Sequence, residues 1–451
     1  MENQKGLKLI QKIGYGIGDA GSNFCWTFIA SFFLIYCTDT LGISAAAIGT
    51  VLMFSRVLDG ISDVVMGRVI DATHSKMGKA RFWYFVSSFP TAIFTFILFN
   101  IPGNFSDTTK YVYIFIIYTL ISAVFYTMNN IAYSALTALC TKNHKDRVDM
   151  GSYRYIFAIV AMLFMSYATS SMVEYFGGSQ KGWRAVSIIY SIVCFVFLII
   201  PVFAVKELPE DELQEGAPTE KKEEIGFLKG FVLLVKNKYF LMVLALYLIQ
   251  FLSSGVTNGM GIYFATYQLG NASLFGTISL ASMFPIMVAL PFVSKITERF
   301  GMRTAAMYGH LIGIIGSLII VIGGLKASFA LVLIGLVVVA FGRTPETGAL
   351  NAIIAEVDEY SCLKFGERLT GTIFACSSVG IKIGTGLGTA LCGFLLEMGG
   401  YDGMAAIQTA RAITTINWAY LIATAILPIM SFIIFYFMKV EQENVKLRGQ
   451  K

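Results

Sequence analysis

AAAIGTVLMFSRVLDGISDVVM, residues 45–66, is an apolar stretch that nevertheless carries Arg56, Asp59 and Asp63. Read as an α-helix, the spacings of three, four and seven residues bring these side chains onto one face. At bilayer depth a single Asp or Arg costs about 2.5–3.5 kcal/mol, whereas a central Leu returns only about 0.5 kcal/mol. Two carboxylates and a guanidinium on one span therefore need partners inside a bundle or a wet cavity. Charges this costly to bury usually mark an ion or substrate path. An Arg–Asp pair that only locks two helices is the competing reading for Arg56. It suits the acids less well, because a second carboxylate one turn from the first adds nothing to a lock. It does complete a hard-oxygen cation site.

The rest of the chain agrees with a membrane setting. Of its 451 residues 56% are hydrophobic and only 14% are charged, where a soluble domain has about 25% charged residues. A span needs about 20 apolar residues. Suitable runs fall at 13–37, 44–69, 83–101, 111–139, 150–174, 184–205, 239–267, 273–296, 303–324, 328–356, 369–398 and 411–438. This predicts an all-α membrane protein of about twelve transmembrane helices.

With both termini inside, the cytoplasmic face collects nearly all the Lys and Arg. These include Lys5, Lys8, Lys12, Arg68, Lys76, Lys79, Arg81, Lys142, Lys145 and Arg147, then Lys295, Arg299, Arg303, Lys364, Arg368 and the tail. The outer loops keep Lys110, Lys181, Arg184, Lys326 and Arg411. The positive-inside rule sets this orientation. The net charge of +6 thus reports topology and gives no support to nucleic-acid binding. Met1–Lys12 reads as a short polar leader without a cleavable signal. Seven scattered cysteines show neither metal spacing nor a disulfide framework.

The clearest change of composition is KELPEDELQEGAPTEKKEE at 206–224. We read residues 1–205 and 236–438 as two six-helix bundles, 206–235 as a cytoplasmic linker and 439–451 as a cytoplasmic tail. A weak repeat supports related halves: MGRVIDATHSKMGKAR (66–81) and SKITERFGMRTA (294–305) both run acid, glycine, base. Duplicated halves with a midplane site are a transporter arrangement.

GYGIGDAGSN (14–23), SRVLDGISDVVMGRVIDATHSKMGKARFW (55–83), YTMNNIAYSAL (126–136), EVDEYSCLKFGERLTG (356–371) and the surroundings of Lys382 together resemble the glycoside–pentoside–hexuronide:cation symporters, sugar carriers that include melibiose permease. The resemblance implies a major facilitator fold of two pseudo-symmetric six-helix bundles. It implies uptake of a sugar or glycoside by alternating access in the cell (inner) membrane, driven by Na⁺, Li⁺ or H⁺. The family's two cation-binding acids fall on Asp59 and Asp63, which would hold the metal ion if sodium is used. Its fourth-helix threonine falls on Thr127, and Ser62 stands where melibiose permease has asparagine. The sugar-site arginine falls on Arg154 and the eleventh-helix lysine on Lys382. Asn23 and Asn130 replace the two sugar-binding aspartates of melibiose permease, while Ser134 and Thr347 replace tryptophans. These departures put galactoside preference in doubt.

The residues themselves extend the candidate substrate site. Asn129 and Asn130 with Tyr126 and Tyr133 offer amides beside aromatic rings, as a sugar requires, though an interhelical amide bond is the alternative. Asp19, one turn before Asn23, suits a gate or a packing bond as well as substrate contact. Arg343 could receive an anionic group or be neutralised by Glu346, three residues on. Glu356, Glu359, Arg368 and Arg147 group near the cytoplasmic face, where the family forms gating ion pairs. The expected partners are the bilayer, a monovalent cation and a small sugar, with the chain acting as a monomer and needing no cofactor. Dispersed His74, His144 and His310 and the lack of hydrolase or phosphate-loop motifs argue against an enzyme. A facilitator, or a carrier of another substrate such as a lysolipid, remains the alternative on the same fold.

Overall fold

The computed structural model describes residues 6–141, 143–209, 235–365, 370–405 and 407–449. The described residues are overwhelmingly helical. The order is α1 (Leu9–Ile35), α2 (Ala45–Asp71), α3 (Lys79–Leu98), α4 (Asp107–Thr119), α5 (Thr127–Leu139), α6 (His144–Tyr175) and α7 (Ser179–Ala204). Then follow α8 (Lys238–Tyr263), α9 (Leu274–Ala289), α10 (Val293–Phe300), α11 (Met302–Leu325), α12 (Phe329–Phe365), α13 (Thr370–Met398), α14 (Ala410–Phe437) and α15 (Val440–Arg448). Three π-helical segments extend or join them: Tyr36–Thr40 after α1, Leu120–Tyr126 between α4 and α5, and Phe264–Gln268 after α8.

Ten of the described helical stretches are long and apolar enough to cross a membrane. The protein is a multi-pass membrane protein. In α2 only Ala45–Arg56 is comparably apolar, because the charged cluster begins at Arg56. That helix starts at Ser44, whose hydroxyl accepts from the Ala47 amide at 3.3 Å, meeting one of the donors a helix start leaves unpaired. Asn237 does the same for α8, accepting from the amides of Tyr239 and Phe240 at 3.0 and 3.2 Å.

The chain divides into two compact units, Met1–Glu220 with Tyr401–Ile407, and Lys221–Gly400 with Gln408–Lys451. One segment departs from the sequence expectation. Residues 401–407 fall inside the range read as the second bundle, yet pack with the first unit. The Tyr401 hydroxyl donates to Asp39 Oδ1 at 2.5 Å. A Cβ on Gly403 would lie 2.3 Å from the Thr38 carbonyl oxygen, so only glycine permits that approach.

The weak loop repeat has a structural counterpart inside each unit. Gly78 (φ +104°) and Gly301 (φ +78°) both turn the chain through a conformation that favours glycine. In the first unit Glu207 accepts from the backbone amides of Lys79 and Arg81, at 2.8 and 2.7 Å. In the second, Glu441 accepts from those of Met302 and Arg303, both at 3.4 Å. Each acid follows the last long helix of its own unit and satisfies the positive start of α3 or α11. Arg81 then donates to the Val205 carbonyl at 3.3 Å, and Arg303 to the Phe435 carbonyl at 2.9 Å.

Candidate functional site

Within the first unit α2 packs against α4, the π-helical segment and α5. There the Thr127 hydroxyl donates to Asp59 Oδ1 at 2.7 Å. Both side chains are buried, at 3% and 5% exposure, so the bond forms where water cannot compete. Thr127 Oγ1 also lies 3.1 Å from the Ser122 carbonyl. That carbonyl belongs to the wider π turn, a feature frequent at functional sites. Ser62 donates to the Asp59 carbonyl at 2.9 Å and reaches Thr127 Oγ1 at 3.4 Å. Half-buried Asp63 follows one helical turn beyond Asp59.

Arg56 approaches Asp59 loosely, with Nη1 3.4 Å from Oδ2. Its stronger contact is aromatic: the guanidinium sits 3.9 Å over the Trp26 ring, with Tyr118 at 5.9 Å. Trp26 in turn lies 4.8 Å from the Tyr126 ring. Cation–π contact holds Arg56 beside the acid without consuming the carboxylate. Two carboxylates and two hydroxyls suit a small monovalent ion or a proton. Among the described residues no cluster of three or more His, Cys, Asp or Glu could hold a metal ion.

A second ionic group lies in the same unit. Arg154 Nε donates to Asp19 Oδ2 at 2.6 Å, and its guanidinium covers the Tyr133 ring at 4.3 Å. Tyr15 and Tyr133 stack at 4.5 Å. The Tyr15 hydroxyl donates to the Tyr133 carbonyl at 2.6 Å, and the Tyr133 hydroxyl returns a bond to the Tyr15 carbonyl. Tyr84 stacks on the other side of Tyr133, at 5.1 Å. The glycines of GYGIGDAGSN make this possible: a Cβ on Gly18 would stand 2.6 Å from the Tyr84 hydroxyl and 2.9 Å from Tyr133 Cε2.

The profile of the MFS/sugar transport protein family matches residues 14–442. The chain belongs to that family. Among its relatives, the uncharacterized symporter YnaJ of Bacillus subtilis (strain 168) is 29% identical, with 96% of this chain and 91% of the relative covered. The isoprimeverose transporter of Lactiplantibacillus pentosus is 26% identical over 97% of this chain and 90% of its own. A bacterial homologue of the human lysosomal transporter Spinster, solved inward-facing and unoccupied, superposes with a TM-score of 0.68 at 14% identity. The match covers 97% of each chain. The fold is therefore that of the major facilitator transporters, and members of the family are transporters rather than enzymes.

Within this family framework the other sequence candidates divide by environment. Asn23 is half-buried; its amide donates to the Asp19 carbonyl at 2.8 Å, and its oxygen accepts from Thr27 at 3.1 Å. Asn130 is exposed. Asn129 is not: 1% exposed, it donates to Ser87 at 3.1 Å and so ties α5 to α3. The amide-bond alternative describes Asn129, and Asn130 is left as the amide open to a ligand. Fully buried Tyr133 holds Arg154, whereas Tyr126 is half-buried beside Trp26.

In the second unit Lys382 and Arg343 are half-buried on α13 and α12. Glu346 is one of two readings that the sequence offers for Arg343, beside an anionic ligand. It meets His310 of α11, with Oε2 3.1 Å from Nε2. At the cytoplasmic positions Glu359 is bound by Arg448 at 2.7 and 2.6 Å, and Glu356 accepts from Asn444 at 2.8 Å. Arg147 donates to the Thr141 carbonyl at 2.8 Å. Arg368 lies outside the described residues. Asp146 bonds Lys12 at 2.7 Å and accepts from the Leu7 amide at 2.8 Å. Burial works against its charge, but the ammonium and the amide prevail and hold this carboxyl below the usual range.

Trp26, Tyr15, Tyr84 and His310 were absent from the sequence candidates. Trp26 carried a detectable signal, since an aromatic residue facing an intramembrane arginine is a ready cation–π partner. The contact between His310 and Glu346 carried none, because it joins residues on separate helices.

Proposed function

We propose that this protein is a cation-coupled symporter that carries a sugar or glycoside into the cell. The single observation that carries this reading is the Thr127–Asp59 bond, buried between α2 and α5, with Ser62 and Asp63 beside it. Asp59, Asp63, Thr127 and Ser62 form the cation site for Na⁺, Li⁺ or H⁺. Occupation changes the charge of a buried carboxylate cluster, and that change couples the ion to the transport cycle. Asn23, Asn130, Tyr126, Lys382 and Arg343 supply the polar and aromatic contacts to the sugar, with Asp19 and Arg154 in support. Because Asp19 neutralises Arg154, the first unit favours an uncharged sugar over a uronate.

The names of the relatives support this class: one is called a symporter and one an isoprimeverose transporter. The Lys and Arg distribution supports a bilayer orientation with both termini cytoplasmic, in the cell membrane. In this reading the protein works as a monomer.

The test is uptake of labelled isoprimeverose and a panel of glycosides into energised vesicles, with Na⁺, Li⁺ or a proton gradient alone. Accumulation above the external concentration with one of these ions, lost in Asp59→Asn, is the expected result. Equilibration that no ion gradient can drive uphill would make the protein a facilitator. Transport of a lysolipid with no sugar uptake would replace the substrate class.

A further inference from the structure

Trp26 stands between the residues assigned to the ion and those assigned to the sugar, and neither assignment uses it. On α1 the residues Asp19, Asn23 and Trp26 follow at spacings of four and three, so they share one face. All three are half-buried, whereas Ala20, Ser22, Phe24 and Cys25 around them are buried. The partly open face of α1 thus presents the indole beside the Asn23 amide. Two further elements meet that indole. The Arg56 guanidinium of α2 lies 3.9 Å over the ring. The Tyr126 ring, at the end of the π-helical segment, lies 4.8 Å from it with planes at 32°.

These contacts close a circuit. Tyr126 is followed directly by Thr127, which donates to Asp59 Oδ1 at 2.7 Å. The other oxygen of the same carboxylate, Oδ2, lies 3.4 Å from Arg56 Nη1. The chain of contacts therefore runs from Asp59 to Arg56, Trp26, Tyr126 and Thr127, and back to Asp59. The neighbouring acids are Asp63, one turn beyond Asp59, and Asp19, which Arg154 engages at 2.6 Å. The Tyr118 ring flanks the guanidinium at 5.9 Å.

At 3.4 Å the approach of Arg56 to Asp59 is long for opposite charges, which usually close to about 2.7–2.9 Å. The guanidinium is shared between the carboxylate and the indole face, and the indole holds it back. A cation arriving at Asp59 offsets the carboxylate and repels the guanidinium. Arg56 then leans further onto the ring, and the ring shifts against Tyr126. We propose, resting on the reading of Asp59 as the cation site, that Trp26 is the positioning residue that couples ion to sugar. It keeps Arg56 off Asp59 and passes the displacement of Arg56 to Tyr126 and the sugar-facing side of α1. Linkage makes the effect reciprocal: a sugar that settles against Tyr126 and Trp26 tightens the ion.

The experiment uses the full protein in nanodiscs. The coupling ion is whichever of Na⁺, Li⁺ or acid pH stabilises the parent against heat but not Asp59→Asn. Trp26→Leu lets Arg56 close on Asp59 and should lower the affinity for that ion about 10-fold, whereas Trp26→Phe should stay within about 3-fold. In an Arg56→Gln background the same Trp26→Leu change should add less than about 2-fold. The sugar probe is labelled isoprimeverose, or the panel glycoside that the parent takes up fastest in its place. In the parent the ion should raise affinity for the probe about 5- to 150-fold, and Trp26→Leu should lose that gain while still binding the ion.

Equal losses of ion affinity from Trp26→Leu with and without Arg56 would make Trp26 a packing residue and overturn the proposal. So would a full gain in sugar affinity retained by Trp26→Leu. If no ion acts through Asp59, or the ion leaves the sugar affinity of the parent unchanged, the symporter reading fails and the proposal falls with it. Should Trp26→Leu not fold, ¹⁹F NMR of the parent decides. Fluorotryptophan labels its four tryptophans, and the Trp26 signal is the one missing from Trp26→Phe. That signal should move when the ion is added and stay still in Arg56→Gln. A signal that ignores the ion in the parent would overturn the proposal.

Discussion

Asp59 and Glu346 are both acids buried in helices of an apolar protein, at 5% and 0% exposure, but their surroundings differ in kind. Asp59 accepts a short hydroxyl bond, borders an arginine held by an aromatic ring, and has a second acid one turn away. Glu346 stands 3.1 Å from the His310 imidazole, without the alignment of a hydrogen bond. A carboxylate surrounded by oxygens and hydroxyls can exchange one small cation for another. A carboxylate packed against an imidazole in a dry contact offers no such set of oxygens. The chemistry open to each acid follows from what lies within a hydrogen bond of it, and not from burial alone.

The largest effect that would break this contrast lies at the first acid. Asp59→Asn with Asp63→Asn removes both negative ligands and leaves the hydroxyls. Uphill accumulation should vanish while downhill counterflow of the same labelled sugar persists. If the double variant still concentrates sugar, the oxygen cluster is not the coupling site.

Stability sharpens the contrast at the second acid. His310→Ala removes the side chain that Glu346 meets and should cost about 3–5 kcal/mol, as for one partner removed from a buried pair. Glu346→Gln keeps the shape and a polar end beside the imidazole and should cost much less. Thermal unfolding in detergent compares the two. Equal losses would show that the contact depends on the carboxylate and not merely on a polar side chain of that shape.

Legibility in the sequence followed the range of the interactions. Arg56, Asp59 and Asp63 were readable because their neighbours lie within one turn and the cost of charge in lipid is large. The helices were readable from apolar runs, and α2 was recognisable despite its charges. Thr127 came only through family resemblance, since its bond to Asp59 spans sixty-eight positions. The π turn before it leaves no pattern in LISAVFY. Closeness in sequence made Glu346 one candidate partner of Arg343, beside an anionic ligand. The fold gave Glu346 to a histidine thirty-six positions away, and local spacing cannot anticipate that. Residues 401–407 were misplaced for the same reason, as their contacts to Thr38 and Asp39 are set by tertiary packing.

A smaller effect tests the hydroxyl at the first acid. Thr127→Val keeps shape but removes the donor to Asp59. Hydrogen bonds to charged groups contribute about 1.5–3 kcal/mol. Cation affinity, read from ion-dependent counterflow, should therefore fall about 10- to 100-fold. Thr127→Ser, which keeps the hydroxyl, should stay close to the parent. Similar losses in both variants would shift the role of Thr127 from ligand to packing.

The smallest expected effect compares the two units directly through their repeated loops. Glu207 caps α3 at 2.8 and 2.7 Å, whereas Glu441 meets the start of α11 at 3.4 Å on both amides. A carboxylate at a helix start contributes about 1 kcal/mol through its bonds and the helix dipole. The contribution falls as the bonds lengthen toward the limit of useful geometry. Glu207→Ala should therefore cost about 1 kcal/mol, and Glu441→Ala less than half of that. Thermal unfolding of the two single variants, with Glu207→Gln and Glu441→Gln as controls that keep an acceptor, resolves the order. A larger loss at Glu441 would mean that its tie to α11 matters more than the bond lengths indicate. Arg303, which anchors α14 through the Phe435 and Tyr436 carbonyls, would then be the residue through which the loss acts. Its own replacement by Ala should reproduce the Glu441→Ala loss without adding to it.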